Sequence, residues 1–154
     1  MTSWLNRGKG FKPRSEYEPL ERTPFVTRYH SIETKRGLVD ELDRLTSLIV
    51  RKTLGDCCIV CGSTEEITNG HLFSRKIHAT RFDIHPEGNC QPQCWRDNQA
   101  HQFNKDPYTF AFVNKYGSEA FATLRDRAYS GKRFETFELR ELVDEYRMIL
   151  RKVS

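Results

Sequence analysis

Three cysteines constrain the fold of this chain more than any other feature. Cys58 and Cys61 are separated by two residues and are followed by Gly62, which permits a tight turn, and Cys94 lies far along the chain. A Cys-x-x-Cys-Gly turn with a distant third cysteine is typical of a zinc site, in which four ligands surround the metal as a tetrahedron. We therefore predict that Cys58, Cys61 and Cys94 bind a structural Zn²⁺ on which folding depends.

The fourth zinc ligand is open between two residues. Asp97 follows Cys94 at the spacing of a second Cys-x-x-Cys pair, and a carboxylate can bind zinc. Cys90 forms a Cys-x-x-x-Cys pair with Cys94 and offers the softer sulfur. We favour Asp97, because Cys90 adjoins Asn89 on a short predicted strand and is expected to face the core. Cys57 is expected to be a buried thiol outside the site.

Cysteine usage and hydropathy indicate a cytosolic protein. The five cysteines are an odd number clustered within one part of the 154-residue chain, which does not suit a disulfide framework. No apolar run reaches the roughly 18 residues of a membrane span, and no signal peptide is visible at the N-terminus. We predict no membrane partner.

The excess positive charge is concentrated at the start of the chain. The net charge is +4, and residues 1–36 contain eight Lys or Arg against four Glu, which accounts for all of it. Such a basic arm suggests a polyanionic partner such as DNA, with Lys12 and Arg14 as candidate phosphate contacts. A solvated, mobile terminus is the alternative explanation.

Periodicity and turn residues predict an α+β domain after a flexible arm. Residues 1–33 show no period and contain several Gly and Pro, whereas residues 34–154 show the pattern of one domain. Thr34 is expected to cap a helix that ends near Leu54, with an apolar stripe over residues 38–49. The remaining predicted elements are strands at 68–73 and 89–91 and helices at 95–101, 107–116, 119–128 and 136–153.

Four polar residues have the chemistry that phosphodiester hydrolysis requires. His71 can act as a base near neutral pH, and Asn89 can orient its imidazole by a side-chain hydrogen bond or through the loop backbone. Asn98 and His101 are three residues apart, so on a helix they would share one face and could hold Mg²⁺. This order of residues suggests a nuclease of the His-Asn-His type.

Several motifs carry a resemblance to a known family. The segment NCQPQCWRDN at 89–98 resembles the N-L-Q-P-L-C-x-x-C-N element of HNH endonucleases with the ββα-metal fold. Together with GHLFSR from residue 70, TRFD from residue 80 and KYG from residue 115, it more closely resembles the phage lambda NinG (Rap) recombination endonucleases. The resemblance covers roughly residues 35–153.

The resemblance implies a fold and an activity. The fold would be a small zinc-stapled ββα-metal (HNH/His-Me finger) core with flanking α-helices, which makes residues 34–154 one HNH-type nuclease domain. The activity would be Mg²⁺- or Mn²⁺-dependent cleavage of branched recombination intermediates such as Holliday junctions and D-loops. By position, His71 matches the general base, Asn89 the residue that orients it, and Asn98 a ligand of the catalytic metal.

The sequence departs from the family pattern at three positions. Asp97 stands where a cysteine is usual, and His101 stands where many relatives have a basic residue. Gly70 occupies the position of a metal-binding Asp in many HNH enzymes, with Asn69 as a weaker neighbouring ligand. The departures therefore concern the zinc site and the catalytic-metal site, and the position of the base matches the family pattern.

The remaining predictions concern DNA and assembly. Arg75 and Arg81 flank the base on one loop and could hold the scissile phosphate, or be solvated charges. A four-way junction favours a homodimer, with the stripe at 38–49 as candidate interface and the bacterial host cytoplasm as the location. The alternatives are an HNH enzyme that nicks or cuts ordinary duplex, and a zinc-dependent DNA-binding module without catalysis.

Overall fold

The computed structural model describes residues 34–153, which form five α-helices and one two-stranded sheet. This confirms the predicted α+β class, and the basic arm with Lys12 and Arg14 lies outside the described residues. A short 3-10 turn also lies between the strands, at His78–Thr80. In chain order the elements are α1 (Lys35–Thr53), β1 (Ile67–His71), β2 (Cys90–Cys94), α2 (Trp95–Ala100), α3 (Asp106–Tyr116), α4 (Ser118–Ala128) and α5 (Thr136–Val153).

The first and last helices pack against each other. Thr34 caps α1 as predicted, because its Oγ1 accepts a hydrogen bond from the Gly37 amide at 3.0 Å. The apolar stripe of α1 is buried together with residues of α5 in one cluster. The prediction that this stripe is a homodimer interface is therefore wrong, because α5 of the same chain already covers it. Members of this cluster include Leu38, Leu42, Leu45, Ile49, Leu139, Val143 and Tyr146.

The two strands form an antiparallel pair that leads directly into α2. In their register Ile67 is opposite Cys94, and His71 is opposite Cys90. Each strand has five residues, so β2 extends three residues beyond its predicted end and continues into α2 without a loop. The chain therefore has the order β1, β2, α2, with residues 72–89 as a long connection between the strands.

The third and fourth helices form the other half of the core. Tyr108 and Phe112 of α3 and Leu124 of α4 are buried with Leu72, which follows β1. The predicted break between these helices is present at Gly117, whose φ of 92° favours glycine. No helix within residues 34–153 has the length and apolar character that a membrane crossing requires.

Candidate metal centre and adjoining cleft

Four side chains from two parts of the chain form a cluster that could hold a metal ion. The thiols of Cys58, Cys61 and Cys94 and a carboxylate oxygen of Asp97 all lie within 4.8 Å of one another. Cys61 Sγ is 3.8 Å from Cys94 Sγ, and Cys58 Sγ is 3.3 Å from Asp97 Oδ2. Tetrahedral zinc with bonds of about 2.3 Å to sulfur places two sulfurs about 3.8 Å apart, so this donor set is compatible with structural zinc.

Local backbone geometry brings these ligands together. Gly62 has a φ of 73° and donates its amide to the Cys58 carbonyl at 2.8 Å, which closes the tight turn between Cys58 and Cys61. The Ile59 amide joins this turn to β2 through the Pro92 carbonyl at 2.9 Å. Cys94 ends β2 and caps α2, so Asp97 falls in the first turn of that helix. The metal centre thus ties the loop after α1 to the junction of β2 and α2.

The structure separates the two candidates for the fourth ligand. Cys90 is fully buried away from the cluster, and its Sγ lies 3.4 Å from the Arg81 carbonyl. Asp97 is the fourth member of the cluster, which agrees with the preference for Asp97 over Cys90 from sequence spacing. Cys57 is exposed, so its predicted burial is wrong. Its side chain is nevertheless outside the cluster, as expected for a residue adjacent to a ligand.

A cleft of about 730 Å³ opens beside the metal centre and contains most of the predicted reaction-site residues. His71, Asn98, His101, Asn69 and Arg75 all line it. Lys76 and Lys105, which the sequence analysis did not select, line it as well, since an isolated surface lysine gives no signal in a sequence. No Asp or Glu is among the lining residues in the described part of the chain, so the cleft is cationic.

His71 is held in one tautomer at the wall of this cleft. Its Nε2 lies 3.0 Å from the Arg81 carbonyl oxygen. A carbonyl only accepts hydrogen bonds, so Nε2 carries the proton and Nδ1 of the neutral ring keeps its lone pair. Burial lowers the pKa of His71 to about 4, and the ring is therefore neutral at pH 7. This is the protonation state that a general base needs before reaction.

Asn89 fixes the loop that carries the partner of His71. Its Oδ1 accepts from the Phe73 amide at 2.6 Å, and its Nδ2 donates to the carbonyls of Phe73 and Thr80 at 3.0 and 3.1 Å. The Thr80 carbonyl is one residue before the Arg81 carbonyl that holds His71. The Asn89 side chain thus contacts the loop backbone and makes no hydrogen bond to the His71 ring, so of the two predicted routes only the one through the backbone has a structural counterpart.

The Arg81 side chain points to α1 instead of a phosphate. Its Nη2 and Nε donate to the two carboxylate oxygens of Asp43 at 2.6 and 3.0 Å. Arg81 does not line the cleft, which counts against its predicted DNA contact. Asp43 was not selected from the sequence, because a single Asp on a helix otherwise rich in charge carries no distinguishing pattern. The pair anchors the loop to α1 and so holds the Arg81 carbonyl in place.

The predicted ligands of a catalytic metal form an incomplete set. Asn98 donates from Nδ2 to Thr68 Oγ1 at 3.1 Å, which leaves its Oδ1 without a hydrogen bond from the described residues. Asn69 Oδ1 is buried and equally unpaired. His101 Nε2 donates to the Leu72 carbonyl at 3.1 Å, and its Nδ1 is buried, so this imidazole does not offer a ligand atom to the open cleft. The set consists of two neutral oxygens and lacks a carboxylate.

The position before His71 has no space for a side chain. A Cβ added at Gly70 would lie 2.2 Å from Gln93 Oε1 and 2.8 Å from Gln93 Cβ. Gln93 is buried on the adjacent strand and occupies the volume that an Asp at this position would need. The departure from the HNH pattern at Gly70 is thus built into the packing of the sheet.

The chain matches the sequence model of one known protein family. The sequence model of the family described as Bacteriophage Lambda NinG protein matches residues 6–154. The chain belongs to this family. Membership of the NinG family indicates a phage protein with a recombination-related function. No curated protein and no solved structure gives a significant match to the chain.

The match to the NinG family is longer than the resemblance of motifs, which covered roughly residues 35–153. It begins at residue 6, within the basic arm, and runs to the end of the chain. The arm is thus a part of the NinG family pattern together with the metal centre and the cleft.

Proposed function

We propose that this protein is an HNH-type endonuclease that cuts branched DNA recombination intermediates, such as Holliday junctions and D-loops. The observation that carries this proposal is the fixed, neutral imidazole of His71 in a cationic cleft. Membership of the NinG family supports a substrate that arises in recombination. The order β1, β2, α2 next to a metal centre supports a ββα-metal core.

In the proposed mechanism, Nδ1 of His71 takes a proton from a water molecule, and the water oxygen attacks phosphorus in line with the 3′ oxygen. The bond between phosphorus and the 3′ oxygen breaks as the new bond forms, and the 3′ oxygen takes a proton from solvent. The Arg81 carbonyl accepts from Nε2 and stabilises the imidazolium that forms. Arg75, Lys76 and Lys105 hold the phosphates of the substrate through charge, without reading base sequence. Asn89 and Asp43 keep the loop in the geometry that this transfer needs.

The residues of the cleft do not form a complete binding site for a catalytic Mg²⁺ or Mn²⁺. Such a cation would stabilise negative charge on the phosphate and the leaving oxygen when bound. Asn98 and Asn69 are the oxygen ligands that line the cleft, and both are neutral. The proton transfer to His71 and the contacts to the phosphates are made by side chains of the protein itself.

The proposed activity belongs in the cytoplasm of the phage host, where a zinc-bound thiol cluster is kept reduced. A homodimer would suit two symmetric cuts in a four-way junction. Because α5 covers the stripe on α1, any such dimer must use a different surface from the one predicted.

The test is cleavage of a labelled four-way junction beside a linear duplex of matched sequence, with Mg²⁺, Mn²⁺ or EDTA. Wild type, His71→Ala and His78→Ala run in parallel, since His78 is exposed and does not line the cleft. We expect junction-selective cutting by wild type and His78→Ala, and a loss of at least about 100-fold in His71→Ala. Cutting by His71→Ala at the wild-type rate would refute the assignment of the base.

Two other outcomes would move the proposal to its alternatives. Equal cutting of junction and duplex would indicate a general HNH endonuclease. The absence of a carboxylate from the cleft favours one further candidate, a zinc-dependent DNA-binding module without catalysis. Tight junction binding with no cutting under any metal would establish that module.

A further inference from the structure

Phe103 is the most exposed large apolar side chain in the described part of the chain. It is 92% exposed and belongs to neither of the two buried clusters. An aromatic ring in water contributes nothing to the core, and its surface becomes favourable only when a partner covers it. Core packing therefore does not explain why a phenylalanine is present at position 103.

The backbone on both sides of Phe103 is well ordered. Its amide donates to the Ala100 carbonyl at 3.0 Å, as does the amide of Asn104. Asn104 Oδ1 then accepts from the Asp106 amide at 3.0 Å, at the start of α3. The turn between α2 and α3 thus presents the ring from a fixed support.

This turn forms one edge of the cationic cleft. His101 and Gln102 before Phe103, and Lys105 after it, all line the cleft. Phe103 does not itself line the cleft, but its neighbours in the chain do, so a strand whose phosphates lie on Lys105 would pass close to the turn that carries the ring. Aromatic rings next to cationic grooves are the usual platform for unpaired bases, because every base has a face that can stack.

We propose that Phe103 is a stacking platform for an unpaired base of DNA bound in the cleft, and that it gives the protein its preference for branched over fully paired DNA. This inference rests on the proposed function and deepens it by assigning substrate selectivity to a residue. In an intact duplex every base is stacked on its neighbours, so the ring gains no partner. The displaced strand of a D-loop, or a junction with unpaired bases at its centre, offers a base that is free to cover the ring.

The other exposed aromatic residue near a pocket fits this role less well. Trp95 is 55% exposed and lines a pocket beside the metal centre. Glu65 and Glu66 line that pocket with a single cation, Arg96, so its net charge is negative and disfavours a phosphate backbone. Phe137 is 62% exposed on α5, and no residue of that helix lines the cleft, so it serves as a control.

The experiment measures binding by the full-length, zinc-loaded chain in buffer without added Mg²⁺ or Mn²⁺ and without a chelator, which would remove the structural zinc. The probes are a four-way junction containing two unpaired bases at its centre and a blunt duplex of the same length, and they are checked for cleavage on a denaturing gel. We expect Phe103→Ala to weaken junction binding at least about fivefold and to change duplex binding less than twofold. Phe103→Trp should restore junction binding, and Phe137→Ala should behave as wild type.

The inference is overturned if Phe103→Ala binds the junction as wild type does, or if it weakens both probes equally. It also fails if wild type binds neither probe. The proposed function is tested separately, because it depends on cleavage by His71→Ala. If Phe103→Ala still cuts through His71 but no longer prefers the junction, the stacking role is supported independently of the base. If His71→Ala cuts at the wild-type rate, the base is refuted and the binding result for Phe103 is unaffected.

Discussion

At the scale of single residues, the site depends on buried polar side chains whose hydrogen bonds are completed by backbone atoms. Asn89 satisfies three backbone groups of the loop at 72–83, and His71 is oriented by one backbone carbonyl of the same loop. Buried polar groups of this kind are costly to disturb, because a lost partner leaves an unsatisfied donor or acceptor. Small chemical changes should therefore have large effects here.

Asn89→Asp tests the role of this side chain with little change in shape. The variant keeps an acceptor for the Phe73 amide but turns an oxygen toward the Phe73 and Thr80 carbonyls, which repel it. We expect the free energy of unfolding to fall by about 3 kcal/mol, measured by urea denaturation. Asn114→Asp on the exposed face of α3 is the control and should change it by less than about 0.5 kcal/mol. Equal stability of the two variants would show that the hydrogen bonds of Asn89 do not hold the loop.

Burial of His71 predicts a pH dependence of stability. Its pKa is about 4 in the folded chain and 6.5 when exposed, so the unfolded chain binds more protons between these values. The contribution of this residue to the free energy of unfolding is therefore complete above about pH 6.5 and is lost as the pH falls toward 4. The difference in unfolding free energy between wild type and His71→Asn should shrink over this window. A difference that is constant from pH 7 to 4 would refute the burial of a neutral ring.

At the scale of elements, the metal-binding cluster and three side-chain contacts hold the sheet in place. The metal centre joins the loop after α1 to the junction of β2 and α2. The long connection between the strands is tied to α1 by Arg81 and Asp43, to α4 by Asp83 and Arg127, and to α5 by a hydrogen bond from Tyr146 to the Phe82 carbonyl. A two-stranded sheet is marginal alone, so these ties supply the rigidity that the site needs.

The metal centre predicts one zinc ion per chain. Cys58→Ser removes a buried ligand and should abolish zinc retention, measured by elemental analysis, together with cooperative thermal unfolding. Cys57→Ser alters the adjacent exposed thiol and should keep both. A Cys58→Ser variant that is folded without metal would show that the cluster is not structural.

At the scale of the whole molecule, positive charge is concentrated in the cleft and in the first part of the sequence. Arg75, Lys76 and Lys105 line the cleft, and the excess charge of the chain lies in its first 36 residues. Negative partners should thus be drawn to the molecule from a distance and held with little sequence preference.

Salt dependence checks this arrangement. Lys76→Ala and Lys105→Ala should each reduce the slope of log affinity against log salt concentration by about 1, for duplex and junction alike. Lys52→Ala, at the end of α1 and away from the cleft lining, should leave the slope unchanged. Unchanged slopes in the cleft variants would place the DNA on another surface.

The sequence predicted local features well and spatial relations poorly. The helices were recognised from caps and periodicity, and three metal-cluster residues from cysteine spacing, because these signals depend on near neighbours along the chain. The pairing of Arg81 with Asp43 and the covering of the α1 stripe by α5 depend on contacts across 38 residues or more, which no local pattern encodes. The same limit hid Lys76 and Lys105, which acquire meaning only from the cleft around them.

The close approach of Gly70 and Gln93 has a consequence for how this site could be changed. A carboxylate cannot be introduced at Gly70 alone, because Gln93 already fills its place. A smaller residue at Gln93 alone would leave a void beside Gly70. The two positions are thus epistatic, and a directed-evolution library that seeks stronger metal binding should randomise both codons together, since stepwise selection would discard each intermediate.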